Sequence, residues 1–189
     1  MIKDRIQAAI EIKSRILSDE PLIANIDAAA RLIIAAYRKG GKTIFCGNGG
    51  SAADAQHLAA ELSGKFYLDR PPIPAEACHV NSSFITAFSN DFNFENAYAR
   101  YIESVGKPED VLVAISTSGN SQNVVNALLK ARKSGMATIV LTGQLGGKMK
   151  GLADLLINIP SEDTPRIQEA HILIGHIICE IVEAELFQK

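Results

Sequence analysis

The sequence predicts an α/β protein: a doubly wound, mainly parallel sheet of five strands with extra helices at the N-terminus. Short apolar runs alternate along the chain with longer segments in which apolar residues recur at helical spacing. The runs are apolar throughout, as strands covered on both faces are. Two helical segments precede the first run. Strands that alternate with helices in this way are typical of a parallel sheet with helices on both faces.

The N-terminal segment is predicted to form two helices. In the first, apolar residues recur at steps of three and four and so lie on one helical face. The second runs from Ile23 to Arg38 and ends at Gly40-Gly41. The apolar stripe of the first helix could pack on its own domain or against another subunit. Its members are Ile2, Ile6, Ala9, Ile12 and Ile16.

Five strands and three further helices are expected after this segment. In a parallel sheet of this type, the ligand site lies at the carboxyl ends of the strands. The expected strands are Thr43–Cys46, Ala75–Val80, Val111–Ile115, Ala137–Leu141 and Leu155–Ile159. The expected helices run from about Ser51 to Phe66, from Ser121 to Ser134 and from Thr164 to Phe187.

Composition restricts the classes of function. The chain has 189 residues, enough for one domain with a buried core, and its 47% hydrophobic content excludes a disordered chain. The formal net charge of −2 predicts no general attraction to nucleic acid or to an anionic membrane. Three cysteines cannot all pair, which predicts reduced thiols and a cytoplasmic location. The apolar C-terminal stretch is interrupted by His176 and Glu183, so we expect no membrane span.

A Gly-rich turn, Gly47–Ala52, follows the first strand and opens a helix. Glycine allows close approach of a ligand to the backbone, and a helix N-terminus offers unpaired N–H groups. The turn also fits the G-x-G-x-x-A form of the dinucleotide fingerprint. That interpretation requires an acidic residue at the end of the second strand, where the chain reads His79–Ser83 without an acid. A tight turn without a ligand is the other alternative.

A hydroxyl-rich turn, Ser116–Ser121, follows the third strand and places four hydroxyls in six residues. Hydroxyls and backbone N–H groups at a helix N-terminus are suited to phosphate oxygens. The alternative is that these residues only cap the helix, for which one or two hydroxyls suffice. Neither turn contains Lys or Arg, which favours a small phosphorylated ligand over a nucleic-acid backbone.

Polar residues on the helices offer a candidate for acid–base or metal chemistry. His57 and Glu61 are four residues apart and share a helix face, a spacing that suits a metal, a base–imidazole pair or a solvated ion pair. Gln168 and His176 are separated by about 12 Å of helix rise. One small site can use both if the side chains reach toward each other or if a neighbouring chain supplies one.

Other polar residues carry less information. His171 and His176 lie in apolar surroundings where a lone histidine is usually a core residue, and we expect His171 to be structural. Asn90-Asp91 and Glu95-Asn96 follow the second strand, where they could bond ligand hydroxyls or simply form a turn.

Four segments in order along the chain carry a resemblance to a known family. They are Gly47–His57 with Glu61, Asn90–Phe92, Ser116–Ser121, and Arg166–Glu169 with His176. Together they resemble the bacterial sedoheptulose 7-phosphate isomerases, also called phosphoheptose isomerases, which are sugar-phosphate isomerases with the Rossmann-like SIS fold. The resemblance covers essentially the whole chain and implies a single SIS domain over residues 1–189, with residues 1–40 as a helical segment used in oligomerisation.

The resemblance also implies roles for individual residues. Glu61 would be the base that transfers the proton, and His176 its acid–base counterpart. The phosphate would be held by Ser116, Thr117, Ser118 and Ser121 with Ser51. The sugar would be lined by Asn48, Gly49, Gly50, Asn90 and Asp91, with Glu61 and Gln168 also contacting substrate. Members of the family can carry zinc on residues that match His57, Glu61, Gln168 and His176.

The family resemblance further implies a homotetramer with sites built between subunits, a phosphorylated sugar as the ligand, and no nucleotide cofactor, nucleic acid or membrane partner. Two alternatives come from related proteins. One is a tetrameric SIS protein that binds the replication initiator DnaA, and the other is a phosphosugar-sensing module. The DnaA-binding relative has Thr where this chain has Gly50, and has no histidine at the position of His176. A phosphosugar-sensing module would need a DNA-binding segment to act on, and we find none in this sequence.

Overall fold

The computed structural model describes residues 1–187 and contains a five-stranded parallel sheet between helices. The strands are β1 (Thr43–Cys46), β2 (Ala75–Ala77), β3 (Val111–Ile115), β4 (Ala137–Thr142) and β5 (Leu155–Asn158). The helices are α1 (Ile2–Leu17), α2 (Glu20–Arg38), α3 (Gly50–Ser63), α4 (Ser82–Asp91), α5 (Ala97–Val105), α6 (Gln122–Lys133) and α7 (Thr164–Phe187). Short 3-10 helices lie at Phe94–Asn96 and Gly147–Leu152.

The strand order is β2-β1-β3-β4-β5, and every neighbouring pair is parallel. Successive side chains of each strand enter opposite layers, as the period of two requires. Phe45 and Val113 join the cluster formed with α2, α3 and α7, whereas Ile44 and Leu112 join the cluster formed with α5 and α6. The predicted doubly wound α/β fold is therefore confirmed.

Most of the predicted elements agree closely with the structure. The bounds of β3 and α7 are those predicted, and α2 begins earlier than expected, at Glu20, because the Asp19 carboxylate accepts a bond of 3.0 Å from the Leu22 N–H. The third predicted helix ends at Ser63 rather than Phe66, since Gly64 caps it. The second strand is shorter than predicted and ends at Ala77.

Two helices between β2 and β3, α4 and α5, were not predicted from the sequence. The apolar residues Phe84, Ile85 and Phe88 of α4 recur at helical spacing, but no residue of the helix is fully buried. Its start is marked instead by a local bond, in which the Asn81 side chain accepts from the Phe84 N–H at 3.0 Å. Helix α5 has only nine residues, and its buried Tyr98 and Ile102 lie four residues apart on one face.

The apolar stripe of α1 is covered only at its C-terminal end. Ile16 is buried, whereas Ile2 and Ile6 are 75% and 57% exposed. Arg166 of α7 donates to the Arg5 carbonyl at 2.7 Å and ties the first turn of α1 to the domain. The N-terminal half of the stripe therefore has no partner within residues 1–187.

His171 is structural, as expected from its apolar surroundings. Its ring is completely buried, and Nε2 donates to the Thr142 carbonyl at the end of β4 at 3.1 Å. Burial lowers the pKa of His171 to about 4, so the ring is neutral at physiological pH. Among residues 1–187, no helix combines the length and the hydrophobicity that crossing a bilayer would require.

Candidate active site

The two turns singled out in the sequence lie side by side in the fold. β1 and β3 are neighbouring strands, although they are separated in the chain by β2 and its helices. The strand order reverses between them, which makes the gap beyond their carboxyl ends a topological switch point. The Gly-rich turn after β1 and the hydroxyl-rich turn after β3 both begin at this gap.

In the hydroxyl-rich turn, the hydroxyl at the start of α6 is not used as a cap. Ser121 occupies the N-cap position of α6, but its side chain makes no capping hydrogen bond. Instead its Oγ lies 3.1 Å from the Oγ of Ser116. Gly119 has a φ of +64°, and an added Cβ would collide with the Gly146 carbonyl, so the loop after β4 presses directly on the turn.

The Gly-rich turn leads into α3 through Gly49, which has a φ of +56° and provides no capping side chain. Ser51, in the first turn of α3, is buried. Gly50 lies against the Gln168 amide of α7 so closely that a Cβ would overlap both of its terminal atoms. A residue larger than glycine at position 50 would therefore displace Gln168.

Helices α3 and α7 approach closely and bring three polar side chains together. A Cβ on Gly175 would lie 2.5 Å from a methyl group of Leu58, so glycine is what permits this distance. His57 Nε2 is 3.1 Å from Glu61 Oε1, and the rings of His57 and His176 are 5.1 Å apart. The candidate ligand atoms of His57, Glu61 and His176 all lie within 4.8 Å of one another.

These three residues fit a divalent transition metal. Two imidazole nitrogens and one carboxylate oxygen are a donor set that suits zinc. The Nε2 atom of His176 is buried and has no hydrogen-bond partner among residues 1–187. A buried ring nitrogen without a partner costs free energy unless a ligand completes it.

Gln168 lies against the first turns of α3. Its amide contacts Gly50 and hydrogen-bonds to Asp54, which is one helical turn before His57. The role of Gln168 as a fourth ligand, implied by the resemblance, stays a prediction.

Asp54 is a buried acid that the sequence interpretation missed. It precedes His57 by three residues and Glu61 by seven, so all three lie on one face of α3. Its Oδ2 has no partner among the described residues. Burial raises the pKa of Asp54, opposed by hydrogen bonding from Gln168 and by the nearby His57 and His176. The i, i+3, i+7 spacing is the signal that could have identified it.

A buried carboxylate anchors the segment that follows α3. Glu183 accepts hydrogen bonds from the backbone N–H groups of three successive residues, 66–68, at 2.7 to 3.0 Å and from Arg70 Nε at 2.9 Å. Burial alone would raise the pKa of Glu183, but these bonds outweigh it and hold the pKa below its ordinary value. Arg70 also donates to the Glu61 carbonyl, and the Phe66 ring packs 5.7 Å from His176.

Asn90 and Asp91 do not lie in a loop beside β2, which corrects the expectation from the sequence. They form the C-terminal end of α4 and are exposed, and Asn90 Nδ2 donates to Asp91 Oδ1 at 2.9 Å. The ten residues of α4 carry them about 15 Å along the helix axis from its start. Asn96 likewise belongs to a 3-10 helix, where its N–H bonds to the Asn93 side chain at 2.9 Å.

Comparison with known proteins identifies the family. Residues 6–143 match the SIS domain family. Phosphoheptose isomerases from Sulfurimonas denitrificans and Clostridium acetobutylicum are each 50% identical over 186 residues, which cover 98% of this chain and 95% of theirs. The chain belongs to the phosphoheptose isomerase family. This membership places it among the sugar-phosphate isomerases and confirms the resemblance noted from the four segments.

Solved structures of phosphoheptose isomerases have the same fold. The enzyme from Neisseria gonorrhoeae superposes with a TM-score of 0.89 at 38% identity, over 97% of this chain and all of that one. The enzyme from Francisella tularensis superposes with a TM-score of 0.90 at 34% identity, over 96% of this chain and 95% of that one. The SIS fold of the chain therefore follows from both sequence and structure.

We predict that Gly175→Ala separates α3 from α7 and lowers turnover at least roughly ten-fold, because an added methyl group has no space beside Leu58. Turnover and the zinc content after dialysis against a buffered zinc solution measure the effect. Gly151→Ala is the matched control, since a Cβ at that position meets open space. Equal activity and zinc content in the two variants would contradict the role assigned to the close approach.

Proposed function

We propose that the protein interconverts sedoheptulose 7-phosphate and D-glycero-D-manno-heptose 7-phosphate, a step toward nucleotide-activated heptose for surface polysaccharides. The observation that carries the proposal is the carboxylate–imidazole cluster on α3 and α7 in a chain whose switch point also presents a hydroxyl-rich turn. Relatives named phosphoheptose isomerase at 50% identity support the same substrate.

The reaction moves a proton between neighbouring carbons. Glu61 removes a proton from C1 of the ketose, and the C1–H electron pair forms the double bond of an enediol as the C2 carbonyl oxygen takes up a proton. His176 supplies and accepts the oxygen-bound protons. Return of a proton from Glu61 to C2 forms the new C–H bond, and loss of the O1 proton leaves the aldehyde. No redox cofactor is consumed in this sequence.

In the proposed mechanism, the two turns bind the substrate and hold it in place for the proton transfer. Hydroxyls of Ser116, Thr117, Ser118 and Ser121, with Ser51, donate to the phosphate, and the amino ends of α3 and α6 favour its charge. Asn48, Gly49 and Gly50 face the sugar from the first turn. The exposed Asn90 and Asp91, and Gln168, complete sites formed with a neighbouring subunit.

Zinc is the proposed metal, with His57, Glu61 and His176 of one chain as ligands and Gln168 as the fourth. Bound there, zinc supplies Lewis-acid stabilisation of negative charge on the carbonyl oxygen. Glu61 belongs to both sets; its carboxylate has two oxygens, so one could hold the metal while the other accepts the substrate proton.

A homotetramer is the proposed assembly, with residues 1–40 contributing to its interfaces. Large apolar side chains lie exposed on the outer faces of α1 and α7, as expected for surfaces that pack between subunits. They are Ile2, Ile6, Ile10, Leu17, Leu173 and Ile177.

Replacement of Glu61 by glutamine tests the base. Glu61→Gln keeps the size of the side chain but removes the basic oxygen, so turnover of sedoheptulose 7-phosphate should fall by about 10²–10⁴. Product formation is followed by chromatography of the heptose phosphates. A variant that keeps more than about a tenth of the wild-type rate would remove Glu61 from this role.

Removal of the metal tests the zinc proposal. Removal of zinc by chelation should lower turnover by more than roughly a hundred-fold, since Lewis-acid stabilisation amounts to several kcal/mol. Elemental analysis checks that the metal has been removed. Added zinc should restore the rate, and circular dichroism should show an unchanged fold. Full activity in metal-free protein would leave the cluster as acid, base and hydrogen-bonding groups alone.

Light scattering at micromolar concentration should give the mass of four chains. Ile6→Glu with Ile10→Glu places charge among the exposed apolar side chains of α1 and should dissociate the tetramer with loss of activity, because the proposed sites need a second subunit. Glu11→Lys changes charge on the same helix away from the stripe and serves as the control. A stable active monomer of the unaltered protein would disprove the assembly.

A further inference from the structure

Two buried polar residues beneath the Gly-rich turn take no part in the proposed chemistry. Asn123 lies at the start of α6 and is 4% exposed, and Tyr98 lies on α5 and is 2% exposed. Buried amide and hydroxyl groups are costly unless their bonds are made. Both residues direct their polar atoms at the same neighbour, the first turn at the switch point.

Asn123 and Asn48 form a reciprocal pair of amide hydrogen bonds. Asn48 Nδ2 donates to Asn123 Oδ1, and Asn123 Nδ2 donates to Asn48 Oδ1, each at 2.8 Å. A pair of this kind fixes both the position of the Asn48 amide and the direction in which its oxygen points. One N–H of Asn48 is left for a further acceptor.

Tyr98 completes the fixation from the other side. Its hydroxyl lies 2.8 Å from the Gly47 carbonyl and 3.3 Å from Asn48 Oδ1. The hydroxyl has one proton, which serves the closer carbonyl, so the tyrosine holds the backbone of the turn where β1 ends. Asn48 is thus held through its side chain by α6 and through the preceding backbone by α5.

We propose that Asn123 and Tyr98 are positioning residues for the sugar end of the substrate, acting through Asn48. The inference rests on the proposed function, in which Asn48 faces the sugar. Because α6 begins at the hydroxyl-rich turn, the Asn48–Asn123 pair also joins the helix behind the phosphate site to the turn at the sugar site. The two halves of the substrate are held at a fixed spacing by this bridge.

A purely structural role is the competing explanation. Asn123 Oδ1 also accepts a bond of 3.0 Å from the Val124 N–H, which stabilises the start of α6. Loss of such a bond lowers the melting temperature but does not by itself change how a folded molecule binds sugar. The affinity for sugar relative to inorganic phosphate distinguishes the two roles, since inorganic phosphate contacts the phosphate site alone.

Tyr98→Phe is the first test, with Tyr101→Phe as its matched control. Both tyrosines lie on α5, and the Tyr101 hydroxyl donates to Glu76 of β2 at 2.6 Å instead of contacting the Gly-rich turn. We expect Tyr98→Phe to weaken calorimetric binding of sedoheptulose 7-phosphate by roughly three- to ten-fold, the effect of one neutral hydrogen bond. Inorganic phosphate should bind within two-fold of the wild type, and Tyr101→Phe should change neither affinity.

A double-mutant cycle is the second test. If Asn123 acts through Asn48, Asn123→Ala weakens sugar-phosphate binding in the wild type but has no further effect in an Asn48→Ala background. Additive losses, or equal losses for the sugar phosphate and inorganic phosphate, would overturn the proposal. All readouts are binding constants and melting temperatures, so a protein that binds the sugar phosphate but does not isomerise it would refute the proposed function and leave this inference standing.

Discussion

Parallel pairing of β1 with β3 is the constraint on which the site depends. Because the strands are neighbours and point the same way, the turns that follow them open at one edge of the sheet, although about 70 residues separate them in the chain. Helices that start at these turns direct their amino ends toward the same gap. The buried contact between Asn48 and Asn123 then sets the spacing between the turns.

The polar cluster depends on a second contact, the packing of α3 on α7. The small residue at position 175 lets the helices approach, and the approach brings His176 to the face of α3 that carries His57 and Glu61. Glu183, two turns further along α7, fixes the segment after α3 through three backbone bonds and Arg70. Helix α7 thus carries both His176 and the Glu183 carboxylate that fixes the segment after α3.

Several features of the chain agree with the assembly proposed above. The N-terminal half of the α1 stripe is exposed, Asn90 and Asp91 lie on an exposed helix end, and Gln168 is about two helical turns from His176. In the homotetramer proposed above, a site shared between subunits would account for all three.

The sequence by itself determined the fold class, most strand and helix bounds, and the two turns, because these follow from local periodicity and from turn chemistry. It also indicated the pair His57 and Glu61, whose spacing of four is a local property of a helix. It did not reveal α4 or α5, which have only ten and nine residues. Only the tertiary structure decided that His176 joins the pair, and that Asp54, Tyr98 and Asn123 lie close to the site. Those relations depend on how distant helices pack, and helix packing is set by shape at contacts such as Gly175 with Leu58 rather than by any pattern along the chain.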